Sequence, residues 1–427
     1  MTSTDQNGSL RGAFVAVTSL FLMWGFITSF VDILVPKLKL VFDLSATKAY
    51  MVQFAWFTAY GLLSIPGGYV IKKLGCKLGI ILGLVVAGLG CAMFFPAAET
   101  EEFSVFLLAL FITGCGITIL QVAANPYVSV LGPKESASSR LNLAQAFNSL
   151  GTTVAPLIAA SFLLGTDAGN ADSVKSPFLV IAMSFFLLAA LFSIIKLPAI
   201  LGEEGKNGSY TSVLQDRKLR FGAVAIFVYV GAEVAIASGF LLYAPILGIE
   251  ELKASIVESS WLSQLGEISA WLKGEALEKM DSLTLVGSLI AMYWGGAMVG
   301  RFLGSGLMAI MKPTTLLAGA AIGAMLMIAF SFGAEMPISA YMFLIAIGFF
   351  NSIMFPTIFA IAIEDLGDDK PLGSGVLCTA IVGGAFVPLL FGALVDTAGF
   401  GAAYFLPAIC YGYIAWYAGR LVPSVRG

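Results

Sequence analysis

Two carboxylates and a handful of carboxamides are the residues that could do chemistry within the apolar runs of this 427-residue chain. Asp32 lies in "ITSFVDILVP", with the hydroxyls of Thr28 and Ser29 about one helical turn away. One acidic group among neutral oxygens suits a small cation, either Na+ or a proton. Glu233 lies in "YVGAEVAIASG", with no basic residue within a turn of it. A carboxylate facing a watery cavity there can accept hydrogen bonds from a polyol. Gln121 and Asn125 are four apart in "ITILQVAANPYVSVLG", so a helix puts them on one face. Asn142, Gln145 and Asn148 recur at every third position and form a second amide row, and Asn351 is the polar residue of a later run. Amides both donate and accept, as the hydroxyls of an uncharged, sugar-like ligand require. Trp24, Trp56 and Trp294 lie inside apolar runs, where an indole face can stack on a sugar ring.

These groups need a solvent other than water around them. Hydrophobic residues make up 59% of the chain and charged residues 11%, and the mean hydropathy is +0.93. Soluble domains carry about a quarter charged residues, so the composition implies a chain threaded through a lipid bilayer. About 20 apolar residues cross a bilayer as a helix. Twelve segments meet that expectation, centred near Trp24, Ala59, Val86, Ile117, Pro156, Phe186, Gly231, Gly296, Gly323, Ile347, Gly384 and Tyr411. The first apolar run, from about Ala13 to Pro36, is too long for a cleaved signal and reads as a span. Lys72, Lys73, Lys77, Lys134, Arg140, Lys206, Arg217, Lys218 and Arg220 fall on one side of this threading. Glu99, Glu101 and Glu102 fall on the other, together with Lys37, Lys39 and Lys48. The balance places both termini in the cytoplasm.

Some chemistries are excluded. The chain has no histidine, so a histidine proton relay or metal site is impossible. Its five cysteines are scattered and show no metal or disulfide spacing. No basic patch points to nucleic acid. No cluster of nucleophile and base points to an enzyme, and no cofactor is implied.

The halves echo each other. Pro126 and Pro356 are 230 apart and Pro156 and Pro388 are 232 apart, within similar local sequences. The expected architecture is all-α, with twelve transmembrane helices in two pseudo-symmetric six-helix bundles. The bundles are expected at 1–196 and 219–427, joined by a polar cytoplasmic linker at 197–218. Repeats of this kind place their ligand near mid-membrane at the repeat interface. An insert at about 248–282 carries apolar residues at helical spacing, among them Ile256, Trp261, Leu262, Leu265, Ile268 and Leu272. It reads as amphipathic helix at the outer membrane interface. Gly296, Gly300 and Gly304, and Gly79 with Gly83, mark tight helix packing. Arg301 reads as a structural cation near the cytoplasmic end of its span.

The motifs "VDILVP", "QVAANPYV", "RLNLAQAFNSLGT", "YVGAEVA" and "FPTIFAIAIEDLG" resemble the fucose/galactose/glucose symporter family of the major facilitator superfamily. The resemblance runs nearly end to end and is strongest to the bacterial glucose/galactose transporter branch. It implies a secondary transporter of the bacterial inner membrane that imports a glucose- or galactose-like hexose by alternating access. The acidic residue at the Asp32 position is associated in the fucose branch with cation coupling. The Gln145 and Asn148 positions match amides that contact sugar. Gln121 stands where the fucose branch has a titratable Glu, and Glu233 stands where that branch has an amide. Gln cannot titrate, so the expectation is a coupling site of Asp32 and Gln121, with Thr28 and Ser29, that holds Na+ in preference to a proton. The expected sugar contacts are Trp24, Gln121, Asn125, Asn142, Gln145, Asn148, Glu233 and Asn351. The alternatives are a proton-coupled symporter of fucose type and a drug/proton antiporter, against which the amide rows argue. The expected partners are a monosaccharide, a coupling cation and the lipid bilayer, with the chain a monomer.

Overall fold

The computed structural model describes residues 3–43, 46–163, 170–195, 197, 209–242, 248–273, 276–280, 282 and 289–421. Among them every regular element is helical. That follows from the solvent: hydrocarbon offers backbone groups no partners, so each segment must satisfy its own.

The first half contains α1 (Ser3–Val41), α2 (Ala46–Leu74), α3 (Cys76–Ala92), α4 (Phe94–Thr100), α5 (Phe103–Val130), α6 (Ala137–Leu163) and α7 (Lys175–Ile194). A short α8 (Tyr210–Val213) precedes α9 (Arg217–Leu242), α10 (Ile249–Glu258) and α11 (Leu262–Lys273). Then come α12 (Ile290–Leu307), α13 (Pro313–Gly333), α14 (Pro337–Asn351), α15 (Met354–Ala362), α16 (Lys370–Thr379), α17 (Gly383–Ala398), α18 (Phe400–Ala403) and α19 (Phe405–Trp416). The centre of each of the twelve expected spans falls on one of these helices. Nine segments among the described residues are long and apolar enough to cross a bilayer. Of the other three expected spans, α6 is diluted by its amide row, and α12 and α19 are short.

Expected span ten is broken. Helix α14 stops at Asn351 and α15 restarts at Met354. Pro356 supplies the reason. It lacks the N–H that would donate to the Ser352 carbonyl one turn back. Arg301 replaces that donor: its Nε donates to the Ser352 carbonyl at 2.9 Å, and the side chain is buried. Span eleven is interrupted too, by a 3-10 turn over Ala380–Val382 between α16 and α17.

Glycines set the helix spacing where the sequence pattern expected them to. A Cβ on Gly300 would lie 2.6 Å from the Phe349 carbonyl oxygen and 2.3 Å from Ser352 Oγ, so α12 meets α14 backbone to backbone. Gly83 of α3 meets α5 likewise, 2.9 Å from the Gly116 carbonyl oxygen.

The chain folds into two compact units. One comprises Met1–Ile226 with Ile358–Val382, and the other Phe227–Thr357 with Gly383–Gly427. Within the first unit, α16 packs on α2 and α5. Charge fastens it there. Lys134 and Lys218 bind Asp365 at 2.6 and 2.5 Å and lie within 3.9 and 3.6 Å of Glu364, and Lys72 pairs with Asp369. The hydrogen bonds from Lys134 and Lys218 hold the Asp365 carboxyl at about 2, below its ordinary 3.8. Most of the expected linker, 198–208, lies outside the described residues. Its end is anchored: Ser209 and Ser212 form a capping box at the start of α8, and the Tyr210 hydroxyl donates to the Ile65 carbonyl of α2. The insert forms two amphipathic helices, α10 and α11, with Leu252, Ile256 and Leu262 buried and Trp271 79% exposed. The side chains of Leu265 and Leu272 lie outside the described residues.

Two outcomes follow. A side chain at Gly300 forces α12 off α14, so Gly300→Leu should cost several kcal/mol, about 1–3 from overpacking alone, and lower the melting temperature in detergent. An unchanged melting temperature would mean that this crossing is not tight in solution. Because the Asp365 pKa is depressed, its pairing is complete above its ordinary value of 3.8 and is lost as pH falls through about 2. Pepsin, which works in acid, should therefore leave the 363–369 segment intact near pH 4 and cut it only as the pH approaches 2. Asp365→Asn should open the segment already at pH 4.

Candidate functional site

The amide rows converge within the first unit. Gln121 and Asn125 share one face of α5, and Gln145 projects toward them from α6: all three are buried. Gln145 Nε2 lies 3.5 Å from Asn125 Oδ1. Gln121 Nε2 donates to the Tyr60 hydroxyl of α2 at 2.6 Å. Tyr60 lies one turn from Trp56, with ring centroids 6.4 Å apart, and both are buried. Asn125 Nδ2 is buried and has no hydrogen-bond partner among the described residues. Leaving a buried donor unmade costs about 1–3 kcal/mol, a cost that an acceptor reaching Asn125 would offset.

The other amides of α6 are placed differently. Asn148 Nδ2 donates to the Phe21 carbonyl at 3.0 Å and so ties α6 to α1. The backbones are in contact there: a Cβ on Gly25 would lie 2.1 Å from the Asn148 carbonyl oxygen. Asn142 Nδ2 donates to the Ser138 carbonyl of its own helix. Trp24 is buried with its ring centroid 4.8 Å from that of Phe21. Thr28 donates to the Trp24 carbonyl at 2.8 Å, and Ser29 is buried on the same helix. The side chain of Asp32 lies outside the described residues, so its pairing with Gln121, Thr28 and Ser29 stays an expectation.

A second polar cluster occupies the second unit. Tyr229 donates to Glu233 Oε1 at 2.6 Å, one turn along α9. Asn351, at the break between α14 and α15, donates through Nδ2 to the Tyr293 hydroxyl of α12 at 2.7 Å. Asn351 Oδ1 and the hydroxyls of Tyr404 and Tyr411 are buried without a hydrogen-bond partner among the described residues. The Arg301 guanidinium acts electrostatically on both Glu233 and Tyr229. Glu233 therefore does have a cation in its surroundings, 68 positions away in the chain, and Arg301 belongs to this cluster as well as to the helix break.

Sequence reasoning missed Tyr60, Tyr229, Tyr293 and Tyr411. A tyrosine in an apolar run reads as packing. The signal that was available is spacing: Tyr229 lies four before Glu233 and Tyr60 four after Trp56.

The comparisons with known proteins agree in one direction. Residues 12–380 match the family model of the Major Facilitator Superfamily. The chain is 43% identical to the glucose/galactose transporter of Brucella abortus, covering 97% of this chain and 95% of that protein. It is 32% identical to the L-fucose-proton symporter of Escherichia coli, covering 95% and 92%. The crystal structure of the E. coli fucose:proton symporter superposes with a TM-score of 0.79 at 30% identity, covering 96% of this chain and 98% of that one.

The two amides of α5 should respond differently to leucine. Asn125→Leu removes an unmade buried donor together with the long contact from Gln145 Nε2, two effects of opposite sign, and should leave the ligand-free melting temperature close to that of the wild type. Gln121→Leu takes the amide partner from Tyr60 and should lower it, by about 1–3 kcal/mol of stability. Equal losses from both would show that Asn125 is satisfied in solution.

Proposed function

The chain belongs to the Major Facilitator Superfamily, and on that premise we propose that it imports a hexose of the glucose or galactose kind, driven by a cation. The observation that carries the reading is the buried, uncharged amide group of Gln121, Asn125 and Gln145, with the Asn125 donor unmade. A neutral polyol is the ligand that such a group recognises. A cationic drug would find no counter-charge there, and a purely apolar one would leave the amides unpaired. Relatives named as glucose/galactose transporters support the same ligand class. Trp24, on α1 of the first unit, would offer an aromatic face, and in the second cluster Glu233 and Asn351 would offer further acceptors for sugar hydroxyls. Asn142 and Asn148, whose donors go to backbone, would act on sugar through their carbonyl oxygens.

The coupling cation enters at Asp32. Sodium is the reading that the residues favour, because Gln121 is a neutral oxygen ligand that cannot titrate; Thr28 and Ser29 add hydroxyls. A proton-coupled cycle with Asp32 as carrier is the second reading, favoured by the relative named as a proton symporter. In either case the ion drives sugar movement by biasing two conformations of the carrier. Those conformations would be rearrangements of six-helix halves, 1–196 and 219–427, about the 197–218 linker. The lysine–carboxylate cluster around Asp365 would be a latch of that cycle. The lysine distribution supports both termini in the cytoplasm, and bacterial relatives support the bacterial inner membrane. The chain works as a monomer.

Reconstitution in liposomes tests this. Labelled glucose and galactose uptake should respond to an imposed inward Na+ gradient, and Asp32→Asn should abolish accumulation. Uptake that follows only an inward proton gradient would replace sodium by the proton at Asp32. No uptake of either hexose under any gradient would overturn the sugar reading. Asn125→Leu should weaken uptake by at least about tenfold, the loss of one buried hydrogen bond to ligand.

A further inference from the structure

A groove of about 690 Å³ opens between the amphipathic insert and the helices α13 and α14, within the second unit. Its floor is Met327 of α13 with Met342 and Phe343 of α14, and its far wall includes Trp261 of the insert. Its size falls in the range of about 300–1,000 Å³ typical of small-molecule sites. The floor continues a lipid-facing surface, because Ile322, Leu326 and Phe330 of α13 are 50%, 47% and 48% exposed. Methionine side chains adapt their shape to a flexible partner. Trp271 and Ile268, exposed on α11, place the insert at the depth of lipid headgroups.

The groove also has polar lining residues, among them Ser255 and Ser259. Glu258 of the insert and Ser339 of α14 also line it. Glu258 is the last residue of α10, so its negative charge sits at the negative end of the helix dipole. None of the ion pairs among the described residues involves it. A carboxylate held against the dipole, in no ion pair among the described residues, gains from an incoming ammonium group.

We propose that this groove binds one phospholipid with an amine headgroup, its ammonium on Glu258 and Ser339 and an acyl chain over Met327, Met342 and Phe343. The acyl chain gains little on leaving bulk lipid, since both surroundings are apolar. Selection therefore rests on the headgroup. The bound lipid completes the packing of the insert against α13 and α14.

Trp261 reports occupancy directly. The protein is placed in bilayers of phosphatidylcholine containing increasing tail-brominated phosphatidylethanolamine or tail-brominated phosphatidylglycerol. Quenching of Trp261 is taken as the difference between the wild type and Trp261→Phe. It should saturate, with half-quenching at about two- to fivefold less phosphatidylethanolamine than phosphatidylglycerol, the size of one partly exposed charge pair. Glu258→Gln should remove the preference, and Glu258→Lys should reverse it. Non-saturable quenching would mean bulk lipid only and would overturn the site, as would absent quenching or equal quenching by both headgroups. A preference that survives Glu258→Gln would overturn the assignment of the headgroup seat. Should Trp261→Phe not fold, a spin label on Ala346→Cys, a groove residue outside the proposed headgroup seat, reads the same preference, with the same outcomes deciding.

Discussion

Hydrocarbon supplies no hydrogen bonds, and this absence governs the rest of the molecule. Each backbone group that leaves the helical ladder inside the membrane must find a partner from the chain itself. Pro356 frees the Ser352 carbonyl, and Arg301 answers it from α12. An arginine that looks out of place in an apolar run is thereby explained by a proline 55 positions later. The same guanidinium lies within electrostatic reach of Glu233 and Tyr229.

The first unit obeys the same constraint with neutral groups. Its amides pair with a tyrosine hydroxyl, with each other and with backbone carbonyls. The difference between glue and site is a matter of which donors remain unmade. Asn148 spends its donor on α1, whereas the Asn125 donor is left over. A membrane helix tolerates the second arrangement only at a cost, which a ligand accepting from Asn125 would offset.

Outside the hydrocarbon the chain uses charge more freely. Lys72, Lys134 and Lys218 contribute to the one-sided lysine count that orients a membrane protein, and each also meets a carboxylate of the 364–369 segment. Lys218 retains only 4% exposure in that pairing. Residues that read as solvated loop charges thus hold α16 against α2 and α5. Exposed pairs of this kind contribute little singly; here three lysines converge on three acids of one short segment.

The helical fold and the places of the spans were legible in the sequence, because apolar length alone decides whether a segment can rest in a bilayer. The glycine faces were legible for a similar local reason: only a missing Cβ allows backbones to touch. The amides of α5 and α6 stand out in the sequence as carboxamides in apolar runs; only the fold brings Gln121, Asn125 and Gln145 together and ties Asn142 and Asn148 to backbone carbonyls. The break at Asn351–Met354 was half legible: Pro356 was visible, but a proline can sit harmlessly in the first turn of a helix, and only the fold shows a new helix starting at Met354. The tyrosines were not legible, and of Arg301 only a structural role was, not the carbonyl it serves. Their roles depend on which hydroxyl or carbonyl lies within 3 Å on another helix, and helix rotation and crossing fix that distance, not sequence spacing. The tertiary structure likewise decided that residues 358–382 pack with the first unit, because carboxylates can choose their lysines only once the loops are in place.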